Sequence, residues 1–105
     1  MKIKNLTPHT VNLLIGGERV AIEPDGPAPR LSTHEEMISN DLGFDLVRVV
    51  YGNIENLPDP EPETMLIVSK MCCDAAPGRT DLVYPTRLVR DDQGRIVGCD
   101  ALARL

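Results

Sequence analysis

The chain is expected to fold as α+β, a mostly antiparallel β-rich roll or small sandwich of seven or eight strands with one short helix. Three observations predict this. Short apolar, β-branched runs recur from end to end, at Val11–Ile15, Phe44–Tyr51, Met65–Val68 and Arg95–Cys99. Glycine- and proline-based turns separate them, at Gly16-Gly17, through Glu23–Pro29 and at Asp91-Asp92-Gln93-Gly94. Only Lys70–Ala76 carries both a helix start, Ser69, and a helix stop, Pro77-Gly78. At 105 residues the chain is one domain spanning 1–105, and with three aromatics and no Trp its core must be aliphatic.

Taken in order, Lys2–Leu6 alternates polar and apolar residues and reads as a strand. Thr7-Pro8-His9 interrupts it. Pro8 fixes its own φ and holds Thr7 extended, while Asn5 and Thr7 suit side-chain-to-backbone turn bonds, so the turn is rigid and presents His9. Val11–Ile15 and Arg19–Ile22 form a hairpin about Gly16-Gly17. Glu23–Pro29 holds three prolines and makes a stiff loop. Arg30–Ser32 returns as a short strand, and Thr33–Ile38 is read as a single helical turn capped by Ser32 or Thr33. Phe44–Tyr51 is the clearest strand, closed by Gly52. Asn53–Thr64, with Pro58, Pro60 and Pro62 among acidic residues, is an exposed loop. Met65–Val68 is a strand feeding the helix. Leu82–Tyr84 is a short strand ended by Pro85, and Arg87–Arg90 with Arg95–Cys99 forms the last hairpin.

Charge narrows the function classes. A net charge of −5 argues against duplex DNA, whose phosphates need a basic face, and the few aromatics argue against stacking on single strands. Residues 1–69 hold five basic and eleven acidic side chains, a balance of −6, whereas residues 70–105 hold six basic and five acidic, a balance of +1. Five of those six are arginines, whose planar fork suits phosphate or carboxylate. The alternative for each is pairing with Asp81, Asp91, Asp92 or Asp100 on a solvated face.

No metal site is expected, because Cys72, Cys73, Cys99, His9 and His34 show no Cys-x-x-Cys or His-x-x-x-His spacing. The cysteines read as small buried hydrophobes, and their odd count fits a reducing cytosol. No apolar stretch has the length of a membrane span, and none follows Lys2 and Lys4 as a leader would require, so a cytoplasmic, unprocessed protein is expected. Ser69 lacks a Gly-x-Ser-x-Gly elbow, and no glycine spacing matches a phosphate or dinucleotide loop. No catalytic residue and no cofactor are therefore expected. What remains is a binding constellation: Asn5, Thr7 and His9 from the first turn, Arg30 after the proline loop, Ser69 and Lys70 at the helix start, then Arg79, Asp81, Arg90 and Asp91. If they converge they suit a nucleotide-like small anion, with backbone donors from the helix end and guanidinium groups for phosphate.

The pattern Asn5-Leu6-Thr7-Pro8-His9-x-Val11, the Pro/Gly loop with Arg30, Ile67-Val68-Ser69, Arg79-x-Asp81-Leu82, Pro85 and Val89-Arg90-Asp91-x-x-Gly94-x-Ile96-x-Gly98-Cys99 resembles a family of small uncharacterised proteins carried by bacteriophages and prophages. The resemblance covers both ends of the chain. The middle, about residues 33–56, departs from it. Small phage proteins of this size include sponges that sequester nucleotide immune signals such as cyclic oligonucleotides or ADP-ribose derivatives. By that analogy the resemblance implies a non-catalytic, phage-encoded, homo-oligomeric binder acting in the cytoplasm of an infected bacterium. Two readings from other classes stand beside it: a small protein–protein adaptor or virion-associated accessory protein, and a phosphodiesterase-like enzyme with His9 as acid/base. On the sponge reading, Arg79→Ala and Arg90→Ala weaken ligand binding with little loss of stability.

Overall fold

Eight strands and one helix form in the computed structural model, which describes residues 1–105 throughout. In chain order they are β1 (Lys2–Asn5), β2 (Val11–Ile15), β3 (Glu18–Ile22), β4 (Arg30–Ile38), β5 (Leu46–Glu55), β6 (Thr64–Ile67), α1 (Lys70–Ala75), β7 (Leu82–Arg90) and β8 (Ile96–Ala103). Six strands make one sheet in the order β1-β6-β7-β8-β2-β3, and β4 and β5 pair only with each other. The α+β class holds, as a β-rich roll with one short helix. No helix is long and apolar enough to cross a membrane.

The sheet curls until its two edges meet. Just beyond β3, Pro24 bridges back to Asn5, and the Asp25 N–H donates to the Asn5 carbonyl at 2.7 Å. Three of the six strand pairings are parallel, β1–β6, β6–β7 and β2–β8, so the roll is less uniformly antiparallel than expected. β6 feeds α1, which crosses over to the parallel β7, because a parallel neighbour needs a connection longer than a hairpin.

Side-chain alternation along β6 and β7 divides the core in two. Leu66 and Leu82 face one way and pack with Leu6, Val68, Cys72 and Cys73 beneath α1. Ile67 and Val83 face the other way, inside the roll, with Val11, Leu13 and Cys99. A strand buried on both faces must be apolar at successive positions, which is why Met65–Val68 is a continuous run rather than an alternation. All three cysteines are free and buried, and burial pushes the Cys73 and Cys99 thiols up, so they pack as hydrophobes.

Three local readings are corrected. Thr33–Ile38 is not a helical turn but the body of β4, laddered to β5 from Thr33↔Tyr51 to Ile38↔Leu46, with a register irregularity between Leu31 and Thr33. Its local cap signals lose to a partner strand rich in valine, since cross-strand pairs outweigh an isolated turn of helix. β5 correspondingly runs on to Glu55, four residues past the expected Tyr51. Pro85 does not end β7, which continues to Arg90. β6 pairs with β7 only at Leu82 and Val83, so beyond Val83 that edge of β7 is open, and a residue without an N–H is tolerated on an open edge.

Candidate functional site

The first turn is a structural lock. Asn5 is fully buried and its side chain is saturated. Its Nδ2 donates to the His9 and Ile22 carbonyls, each at 2.8 Å, and its Oδ1 accepts from the Thr7 N–H at 2.9 Å and the Thr7 Oγ1 at 2.6 Å. Thr7 Oγ1 also reaches the His9 carbonyl at 2.9 Å. These two residues, placed in the binding set by their side-chain chemistry, spend it on the backbone. The His9 side chain is left exposed on the rigid turn they build.

Ser69 behaves as the sequence predicts for a cap. It is extended at φ −68° and ψ 155°, and its Oγ accepts from the Cys72 N–H at 3.2 Å. That use occupies the hydroxyl, and α1 has only six residues, too few for an appreciable axial dipole. The Lys70 Nζ lies 3.1 Å from Asp74 Oδ2, an exposed pair one turn apart whose hydrogen bond raises the lysine pKa. The anion pocket expected at this helix tip is therefore taken up by the protein's own groups.

Arg79 and Asp81 hold each other. Arg79 Nε and Nη2 each donate to an Asp81 carboxylate oxygen at 2.9 Å, and Nη2 also donates to the Pro58 carbonyl at 2.8 Å. Their side chains are only 21% and 13% exposed, and the guanidinium holds the Asp81 pKa below the usual carboxylate range. This bidentate pair pins the acidic 56–63 loop against the start of β7, so Arg79 acts as a structural residue. Because the Asp81 pKa is depressed in the fold, its contribution is complete above the unfolded value of about 3.9 and is lost as pH falls through the folded value. Arg79→Ala is expected to lower stability by about 1–3 kcal/mol at neutral pH. Urea midpoints taken between pH 6 and pH 3 should show the gap from the parent chain narrowing with acid; a constant gap would detach it from Asp81.

Arg90 and Asp91 sit at the tip of the β7–β8 hairpin. The Asp91 Oδ1 accepts from the Gln93 and Arg95 N–H groups, each at 2.9 Å, shaping the turn, and Arg95 pairs loosely with it at 3.5 Å. Arg90 Nη1 donates to the Gly94 carbonyl at 2.8 Å and meets no carboxylate. Arg30 opens β4 opposite Glu55, exposed and in no hydrogen bond or ion pair.

The ten residues do not share one place in a single chain. Asn5, Thr7 and His9 lie with Ser69 and Lys70 at the C-terminal ends of β1 and β6, where Asn5 is level with Ile67. Arg79 and Asp81 precede Leu82 on the far side of β6 from β1, with the Asp81 carbonyl bonded to the Leu66 N–H and the Arg79 guanidinium turned to the Pro58 carbonyl. Asp91 is up to about 26 Å along the strand from Val83. Free of intramolecular pairing are the side chains of His9, Arg30 and, for carboxylates, Arg90.

One groove escaped the sequence reading. It measures about 220 Å³ and is lined by Thr10, Val11 and Asn12 on one wall and by Pro85, Leu88 and Ile96–Cys99 on the other. Leu88 and Ile96 are each about half exposed, at 52% and 53%. The signal was present in Ile96-Val97 and Leu88, successive apolar residues on a hairpin that the sequence reading took only as the carrier of Arg90 and Asp91. No group of three or more His, Cys, Asp or Glu side chains is placed to hold a metal ion. Comparison of the chain with known protein families, with characterised proteins and with solved structures finds no match.

Proposed function

We propose that the protein is a non-catalytic, phage-encoded binding protein that sequesters a nucleotide-derived signal in the cytoplasm of an infected bacterium. The observation that carries the reading is that Arg30 and Arg90 of the candidate set, like Arg19 and Arg104 outside it, are exposed guanidinium groups that no carboxylate of the chain neutralises. In a matched arginine such as Arg79 the Nε/Nη2 edge is taken by a carboxylate, whereas neither Arg30 nor Arg90 has its charge paired within the chain. They stand on separate elements, Arg30 at the start of β4 and Arg90 at the end of β7. The exposed His9 imidazole on its rigid turn adds a third contact of the same kind.

The test is calorimetric titration of the purified chain with cyclic dinucleotides and ADP-ribose, followed by heating the complex and analysing what is released. Intact release supports sequestration. A chemically altered ligand supports the phosphodiesterase reading with His9, and no binding to any of them removes the proposal. Arg30→Ala and Arg90→Ala are expected to weaken binding at least about tenfold, with melting temperatures within about 4 °C of the parent, since exposed substitutions of this kind fall within about 0.5 kcal/mol. The adaptor reading draws on a different observation, the apolar surface of β4 and β5.

A further inference from the structure

The chain exposes more surface than a monomer of its mass should. Its accessible area is 7422 Å² against roughly 5,800 Å² for a folded monomer of this mass. Its radius of gyration is 17.0 Å against about 13 Å. The excess, roughly 1,600 Å², is twice the area of about 800 Å² that a standard interface removes from one partner.

The β4–β5 ribbon, exposed along most of both strands, contributes to the excess. It is paired with no other strand and leans on α1 alone among the elements it meets appreciably, in a molecule stretched to 55 × 39 × 21 Å. An isolated two-stranded hairpin is marginal in water. Along it Met37, Leu42, Phe44, Val49 and Tyr51 stand exposed, Phe44 at 59% and Val49 at 54%. Of these, Met37, Val49 and Tyr51 fall on one face of the ribbon by the β4–β5 register, the arrangement a contact surface needs. The 26 residues from Arg30 to Glu55 match the 20–30 that one side of a standard interface contributes.

We infer that the β4–β5 ribbon is an arm that docks on a second copy of this chain, in the apolar groove between β2 and the β7–β8 hairpin, with the exchange reciprocal about a two-fold axis. The groove offers Pro85, Leu88, Ile96 and Val97 to the arm's apolar residues. The charges agree as well. The arm carries five acidic and two basic side chains, while residues 82–105 carry four arginines and three aspartates. Arg87 and Arg95 flank the groove in ion pairs that are largely exposed, which cost little to re-partner. A two-fold exchange places one arm and one groove on each copy and closes the assembly at two. Arg30, one of the arginines of the proposed ligand set, opens the arm, whereas Arg90 and His9 lie outside arm and groove; the dimer test uses the protein alone, so its outcome does not depend on any ligand.

The experiment is the solution mass of the full chain by sedimentation equilibrium, with two variants. The parent is expected near 23 kDa, twice its 11.5 kDa chain mass. Val49→Lys sets an ammonium across from Glu35, a pair that supports the hairpin itself, and is expected to sediment at the chain mass. Leu88→Glu changes a half-exposed groove residue and is expected to do the same. Mixing the two restores about 23 kDa, since the arm of one variant and the groove of the other are intact. Hydrogen exchange on the parent reads the contact without substitution: amides of Met37–Ile38 and of Ile96–Gly98 slow together as concentration rises. A parent at 11.5 kDa, either variant remaining dimeric, a mixture that stays monomeric, or exchange independent of concentration overturns the arrangement. A Leu88→Glu variant that stays dimeric while Val49→Lys is monomeric would point instead to an arm-on-arm contact.

Discussion

Asn5→Asp is expected to be the most destabilising isosteric change in the chain. The side chain keeps its shape and its Oδ1, but the atom that donates to the His9 and Ile22 carbonyls becomes a second acceptor facing two oxygens. Asn5 is buried to 0% exposure, so no water relieves the repulsion. Each buried polar group left unpaired costs about 1–3 kcal/mol, and charge on the new carboxylate adds to that, giving roughly 3–5 kcal/mol in all. Against a total stability of about 5–15 kcal/mol this is a large share. At about 4–8 °C per kcal/mol, the melting temperature should fall by at least about 12 °C. The pH dependence supplies an internal control. Burial beside two carbonyls raises the pKa of the introduced acid, so the neutral form is favoured in the fold. The variant should recover part of its stability as pH falls below that raised pKa and lose it again as pH rises through it. A melting temperature within about 2 °C of the parent at pH 7 would mean that the roll is not closed through Asn5.

Gly98→Ala is expected to cost about 2–3 kcal/mol, the range for forcing extra volume into a packed site. An added Cβ would lie 2.7 Å from the Asn12 carbonyl oxygen, a backbone atom with no rotamer to move. β2 and β8 are joined in register only at Leu13↔Cys99, one residue from the collision, so the strain falls on the narrowest seam of the sheet. Hydrogen exchange should show the β2–β3 amides accelerating more than those of β6 and β7. Gly94 provides the contrast. It has φ +78° but nothing within 4 Å of an added Cβ, so Gly94→Ala should cost only about 1 kcal/mol through backbone strain. Equal losses at the two sites would remove the close-approach argument for Gly98.

Much of the architecture was legible because its causes are local. Ser69 with Pro77-Gly78 bounded α1 to within a residue, Gly16-Gly17 and Asp91–Gly94 placed two hairpins, and the run Met65–Val68 marked the doubly buried strand. The rigid turn at Thr7-Pro8-His9 followed from proline geometry and the hydrogen-bonding reach of Asn5 and Thr7. These features depend on dihedral preferences and side-chain atoms a few residues apart. The identity of β4 was not legible, because a ladder between residues such as Thr33 and Tyr51 is a long-range choice that cap signals at Ser32 and Thr33 cannot register.

The binding constellation separates along the same line. The sequence by itself determined which groups could meet an anion: arginines concentrated after residue 69, a histidine on a fixed turn, a capped helix start. Only the tertiary structure decided which of them were already committed. Arg79 is matched by Asp81, Asn5 by four bonds, Ser69 by the Cys72 N–H, while Arg30 and Arg90 keep open faces. It also decided that the unassigned middle of the chain forms a separate two-stranded ribbon with exposed apolar side chains among its charges. The reason is physical: residue type sets what a side chain can bond to, but which partner it takes is settled by chain closure, when strands distant in sequence come within 5 Å of one another.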